Sequence, residues 1–75
     1  MLRVGRYRFF FFSNEGTEPA HIHVESGGQY AKFWIEPVSL EKSTGYKSVE
    51  LNEIAKHGEK NAQLIKERWD EHFSR

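Results

Sequence analysis

Residues 21–35, HIHVESGGQYAKFWI, constrain the fold more than any other part of the chain. Apolar and polar residues alternate on either side of Gly27 and Gly28, which is the period of a half-buried strand. Two glycines between two such runs signal a tight hairpin. With the glycines as the two loop residues, the pairing follows by counting. Ser26 faces Gln29, Glu25 faces Tyr30 and Val24 faces Ala31. His23 then faces Lys32, Ile22 faces Phe33 and His21 faces Trp34. This register puts Ile22, Val24, Ala31, Phe33 and Ile35 on one side. His21, His23, Glu25, Tyr30, Lys32 and Trp34 share the other, where the two histidines point away from the core.

The flanking segments extend this hairpin in both directions. GRYRFFFFSNE is rich in strand-forming aromatics and ends in turn residues. Its alternation separates Tyr7, Phe9 and Phe11 from Arg6, Arg8, Phe10 and Phe12. The arginines belong outside, so Phe10 and Phe12 are expected on the open face with them. SNEGTEP reads as a loop, and PVSLEKSTGY as a bend leading into a short fourth strand. Beyond it the period changes. Leu51, Ile54, Ala55, Gly58, Ala62, Ile65, Trp69 and Phe73 recur at steps of three and four, one stripe at about 100° per residue. They predict one amphipathic helix from about Val49 to Phe73, continuous or bent at Gly58, with Ser48 as N-cap and Glu50 in its first turn. Gly58 on the buried stripe is expected to permit close approach to the sheet. The fold class is α+β: an antiparallel meander of three to four strands with one C-terminal helix on one face. Nothing in the chain is left to cover the other face.

At 75 residues the chain is one domain, spanning 1–75, with a thin core. It has no cysteine, which excludes disulfides and thiolate metal sites. No apolar stretch is long enough to span a membrane, and arginines stand where the apolar region of a secretory leader would run. The expected location is cytoplasmic, with a stabilising protein partner or a homodimer. Eleven basic and eleven acidic residues cancel, which argues against a strongly electrostatic nucleic-acid binder taken as a whole. The charge is uneven, however: Arg3, Arg6 and Arg8 cluster with no acid among them. Aromatic residues make up 15% of the chain, more than so small a core can hide. An open face of this composition implies a partner, a ligand or single-stranded nucleic acid.

Two chemistries fit the face. In metal-free RNA cleavage, His21 and His23 serve as general base and general acid on a ribose hydroxyl and a leaving oxygen. Lys32 or Arg8 then stabilises the developing phosphorane charge, and Trp34 and Tyr30 stack bases. Glu18 and Glu15 flank the histidines and can orient them. Alternatively, His-x-His supplies two metal ligands, with Glu18 or Glu25 as a third; that spacing alone is not diagnostic, and no metal or cofactor is assigned. The competing reading is that both histidines are ordinary half-exposed strand residues within a protein-binding face. His57 and His72 belong to the helix, His72 as a packing or capping residue, and Trp69 is expected in the core.

YRFFFFSNEGTEPAHIHVESGGQYAKFWIEPVSL, followed by STGY, EL..IA and a final W.EHF, resembles a family of short bacterial proteins of unknown function. The resemblance covers nearly the whole chain and is most specific at RFFFFSNE…EP.HIHV. Members of that family are commonly encoded beside a second small protein, in what looks like a toxin–antitoxin pair. The resemblance therefore implies a toxin-like component with a cognate protein partner. It marks Asn14, Glu15, Glu18, Pro19, His21 and His23 as the functional strip, without assigning catalytic residues. Gly58, in KHGEKN, departs from the ordinary helix former expected there. Two functions follow: a toxin-like protein acting on RNA, a ribonuclease candidate whose partner covers the face; or a non-catalytic, antitoxin-like or regulatory interaction module using the same aromatic face.

Overall fold

The computed structural model describes residues 2–11 and 17–73. Five strands form one antiparallel sheet in sequence order: β1 (Leu2–Val4), β2 (Tyr7–Phe10), β3 (His21–Ser26), β4 (Gln29–Ile35) and β5 (Val38–Thr44). Two helices follow, α1 (Ser48–Lys60) and α2 (Ala62–His72), lying against β4 and β5. The α+β class and the antiparallel meander agree with the sequence reading.

The β3–β4 register is the expected one at all six pairs, from His21↔Trp34 to Ser26↔Gln29. Gly27 and Gly28 have φ of +53° and +83°. Successive positive φ values match the twist that a two-residue hairpin requires, and only glycine adopts them without steric cost.

The strand count differs from the expected three to four. A turn at Gly5 and Arg6 folds Leu2–Val4 back on Tyr7–Phe10, so the amino-terminal segment makes two short strands instead of one. β5 is also a full seven residues, not a short strand. It reads weakly in the sequence because, apart from Val38, its side chains are exposed.

One helix was expected and two are present, and the break falls at Asn61 instead of Gly58. The Asn61 N–H donates to the His57 carbonyl (3.0 Å), and its side-chain Nδ2 donates to the same oxygen (2.9 Å). The Asn61 carbonyl then accepts the Ile65 N–H. This side-chain competition for backbone partners ends one helix and starts the next. Gly58 continues α1 undisturbed. The start also moves by one residue: Lys47 is the N-cap and Ser48 is already helical, with the Lys47 N–H bonded to Glu50 Oε1 at 2.8 Å.

The predicted stripe is the buried one. Ile54, Gly58, Ile65 and Trp69 are buried, with Leu51, Ala55 and Ala62 partly so. Ile54 and Ile65, with Leu51, Ala55 and Ala62, pack on Phe9, Ile22, Val24, Ala31, Phe33 and Ile35. Burying an aliphatic or aromatic side chain contributes roughly 1.5–3 kcal/mol, so these residues carry most of the drive to fold. Among the described residues no helix is long and apolar enough to cross a membrane.

Two stability changes are expected. A methyl group built at Gly58 meets only Val38 Cγ1, at 3.6 Å, an ordinary contact. Gly58→Ala therefore gains helix propensity without a clash and stabilises the protein by about 1 kcal/mol, read as a rise in Tm of about 5 °C. At the opposite edge of the sheet, Tyr7 donates its hydroxyl to Glu53. Burial, and then the bond to Glu53, raises the Tyr7 phenol above its ordinary value of 10.0. Since the folded-state value is the higher one, this stabilisation is complete below pH 10 and is lost as the pH climbs through the raised folded value. Tyr7→Phe should be about 1 kcal/mol less stable at neutral pH and should lose stability less steeply than the wild type in alkaline denaturant titrations.

Candidate functional site

Cross-strand pairing lines up the outer face in rows. Arg3, Arg8, Glu25, Tyr30 and Thr44 form one row across all five strands. Phe10, His23, Lys32 and Lys42 form the next, and His21, Trp34 and Ser39 the third. Of the residues expected on this face, Arg8, Phe10, Glu25, Tyr30, Lys32 and Trp34 are brought together. Phe12, Asn14 and Glu15 lie outside the described residues.

Arg6 is not part of this face. It sits in the β1–β2 turn, where the strand alternation that assigned it outward does not apply. Its guanidinium pairs with Glu50 at the start of α1, on the helix side.

The histidines also differ from expectation. They belong to the outward set by register, yet His21 is 0% and His23 4% exposed. The chain does cover this part of the sheet. Trp69 of α2 reaches His21 at the end of β3, ring centroids 4.9 Å apart, and Trp34 lies edge-on at 5.6 Å. Nδ1 of His21 donates to the Pro19 carbonyl at 2.9 Å, with Glu18 Oε1 3.7 Å away. Trp69 is buried as expected, but against Phe11, His21 and Phe73 instead of in the main core cluster. His72 is exposed and contacts the rings of Phe11 and Phe73.

His23 is enclosed from its flanks. Phe10 stacks on it at 5.5 Å and Tyr30 at 5.7 Å, and its Nδ1 shares a hydrogen bond of 2.6 Å with the Tyr30 hydroxyl. The two imidazoles are 5.2 Å apart, edge to face. In this arrangement they form the floor on which Phe10, Tyr30 and Trp34 are set, both buried from solvent.

Above that floor runs a strip of alternating cations and rings. The Arg8 guanidinium lies 4.4 Å from the Phe10 centroid and Lys32 Nζ 4.8 Å from that of Trp34. Arg8 also pairs with Glu25, and Lys32 reaches Glu18 at 3.2 Å. Trp34 Nε1–H donates to Glu41 at 2.9 Å. Arg3 and Lys42, which the sequence reading left out of the site, complete it. Arg3 lies directly opposite Arg8, and Lys42 directly opposite Lys32. Neither has a carboxylate within ion-pair distance among the described residues. Like charges directly opposed on neighbouring strands are destabilising by a few tenths of a kcal/mol, about 1 at most. The short turn at Gly5 in RVGRYR was the signal for Arg3; Lys42 required the β5 register.

Among the described residues no three His, Cys, Asp or Glu side chains converge as a metal site.

Tyr30→Phe keeps the ring on His23 and removes the hydroxyl. Loss of that buried hydrogen bond should cost about 1–2 kcal/mol, seen as a lower urea midpoint with an unchanged slope.

No curated protein and no solved structure matches this chain. A family model does match, over residues 7–70, from the start of β2 nearly to the end of α2, and so takes in the histidine floor and most of the strip. The chain belongs to the family described as Domain of unknown function (DUF4160).

Proposed function

We propose that this protein is the RNA-directed, toxin-like member of a bacterial gene pair, and that it works by holding single-stranded RNA on the outer face of its sheet. The observation that carries the reading is the pairing of Arg3 with Arg8 and of Lys32 with Lys42 on one face, flanking a run of half-buried rings. A fold that places like charges opposite one another at two separate points gains nothing from them by itself. Glu25 and Glu18 already offset Arg8 and Lys32, so a polyanion finds its partners first in Arg3 and Lys42. Single-stranded RNA suits the remainder, because bases stack on aromatic side chains while phosphates follow the cations. In this reading His21 and His23 are positioning residues beneath the strip, and a small cognate protein neutralises the toxin by covering it.

Arg3→Ser with Lys42→Ser tests the proposal. The double variant should be as stable as the wild type or slightly more so, yet should bind a short labelled RNA at least tenfold more weakly. The slope of log affinity against log salt should shrink by about 1.4 for the two lost phosphate contacts. Growth arrest on expressing the chain alone should be relieved in parallel. Undiminished RNA binding by the folded variant, or no binding by the wild type, overturns the reading. The same incubations report cleavage: RNA cut by the wild type and spared by a folded His21→Ala, His23→Ala variant would give the imidazoles a chemical role instead.

One observation favours the interaction module. Glu18, Glu25 and Glu41 each engage a side chain of the strip, a mixed charge pattern that suits a protein surface. A face that binds the neighbour-encoded protein but no RNA would establish that reading.

A further inference from the structure

Where the strip ends at Trp34, a cavity of roughly 410 Å³ opens between the β4–β5 turn and α2. Trp34 belongs to both. Trp69 and Pro37 add further flat apolar wall, and the rim carries Lys66, Asp70 and Glu36. These three form an ordered group: Lys66 Nζ is 3.4 Å from Asp70 Oδ2 and 3.5 Å from Glu36 Oε1. The hydrogen bond to Asp70 and that residue's charge, then the charge of Glu36, hold the Lys66 ammonium above the usual lysine range, so it stays a donor. All three side chains remain at least one-third exposed, within reach of a ligand at the mouth.

We propose that this pocket takes one unstacked guanine of the bound RNA and gives the strip its base preference, an inference that rests on the RNA reading above. The walls suit a planar heterocycle, and the rim decides which one. Carboxylates only accept hydrogen bonds and an ammonium only donates them. The matching edge has two neighbouring N–H donors beside one carbonyl acceptor. Guanine presents N1–H and N2–H next to O6. Adenine and cytosine offer a single amino group beside ring acceptors, and uracil one N–H between two carbonyls. In guanine the two N–H groups meet Asp70 or Glu36, and O6 meets Lys66. A base leaving the stack at Trp34 enters the pocket without its phosphates leaving Lys32.

The test compares two labelled oligomers by fluorescence anisotropy: oligouridylate, and the same oligomer with one central guanine. The guanine oligomer should bind about tenfold more tightly, the discrimination expected of one bidentate pair. Replacing that guanine with inosine, which lacks the N2 amine, should remove part of the gain. Glu36→Gln with Asp70→Asn, two exposed positions, should abolish the preference, while oligouridylate affinity holds or rises because two negative charges beside the strand are removed. Equal binding of both oligomers by the wild type, or a preference that survives in the double variant, overturns the pocket while the RNA reading stands. Binding of neither oligomer overturns both.

Discussion

The rest of the molecule depends on the register of the β3–β4 hairpin. A shift of one residue there would exchange the two faces, burying Glu25 and Lys32 and exposing Ile22, Val24 and Phe33. Two glycines with positive φ prevent this, because they admit the tight turn and no longer loop is needed. Once these two central strands are sorted, their neighbours inherit the sorting. β2 aligns Phe9 with Val24 on the helix side and Arg8 with Glu25 on the other. β5 brings Lys42 beside Lys32. The helices then find a continuous apolar surface, which is why the stripe through Ile54 and Ile65 docks on it.

The outer face combines two opposed economies. Near His21 it is packed like an interior, with imidazoles held by a backbone carbonyl, a phenol and indole rings. Near Arg3 and Lys42 it sets like charges opposite one another, with Arg8 offset by Glu25 and Lys32 by Glu18. The packed end fixes the rings beside the cations. Burial of the histidines and exposure of Arg3, Arg8 and Lys42 therefore meet on one face, where the Lys32 side chain is only 13% exposed.

Much of this was legible in the sequence. The hairpin could be counted from Gly27 and Gly28, and the helical stripe from its spacing, because both depend on local periodicity. The second reversal at Gly5 was hidden by the run of aromatics after it, which reads as one strand. The helix break was assigned to glycine on propensity, whereas Asn61 makes it by hydrogen bonding to His57. Burial of the histidines was out of reach for a different reason. Alternation gives the direction a side chain points, but whether anything stands in front of His21 depends on Trp69, 48 residues further along the chain. The same holds for Lys66 and Trp34, which meet at one cavity only after α2 has docked.

The irregularity between β4 and β5 has a consequence beyond its own two strands. Lys32 pairs with Lys42 and Phe33 with Leu40, so Glu41 is the supernumerary residue. Such a bulge bends the strand and re-aims a side chain, and here it delivers the carboxylate to the Trp34 indole. It also spoils the outer margin of the sheet as a template. β5 is the last strand, seven residues long, and a regular one would offer its unpaired amides and carbonyls to any extended chain nearby. With an extra residue and adjacent opposite charges at Glu41 and Lys42, that margin resists strand-by-strand growth. The bulge thus disrupts edge-to-edge pairing at β5 while leaving the flat of the sheet regular across its inner strands.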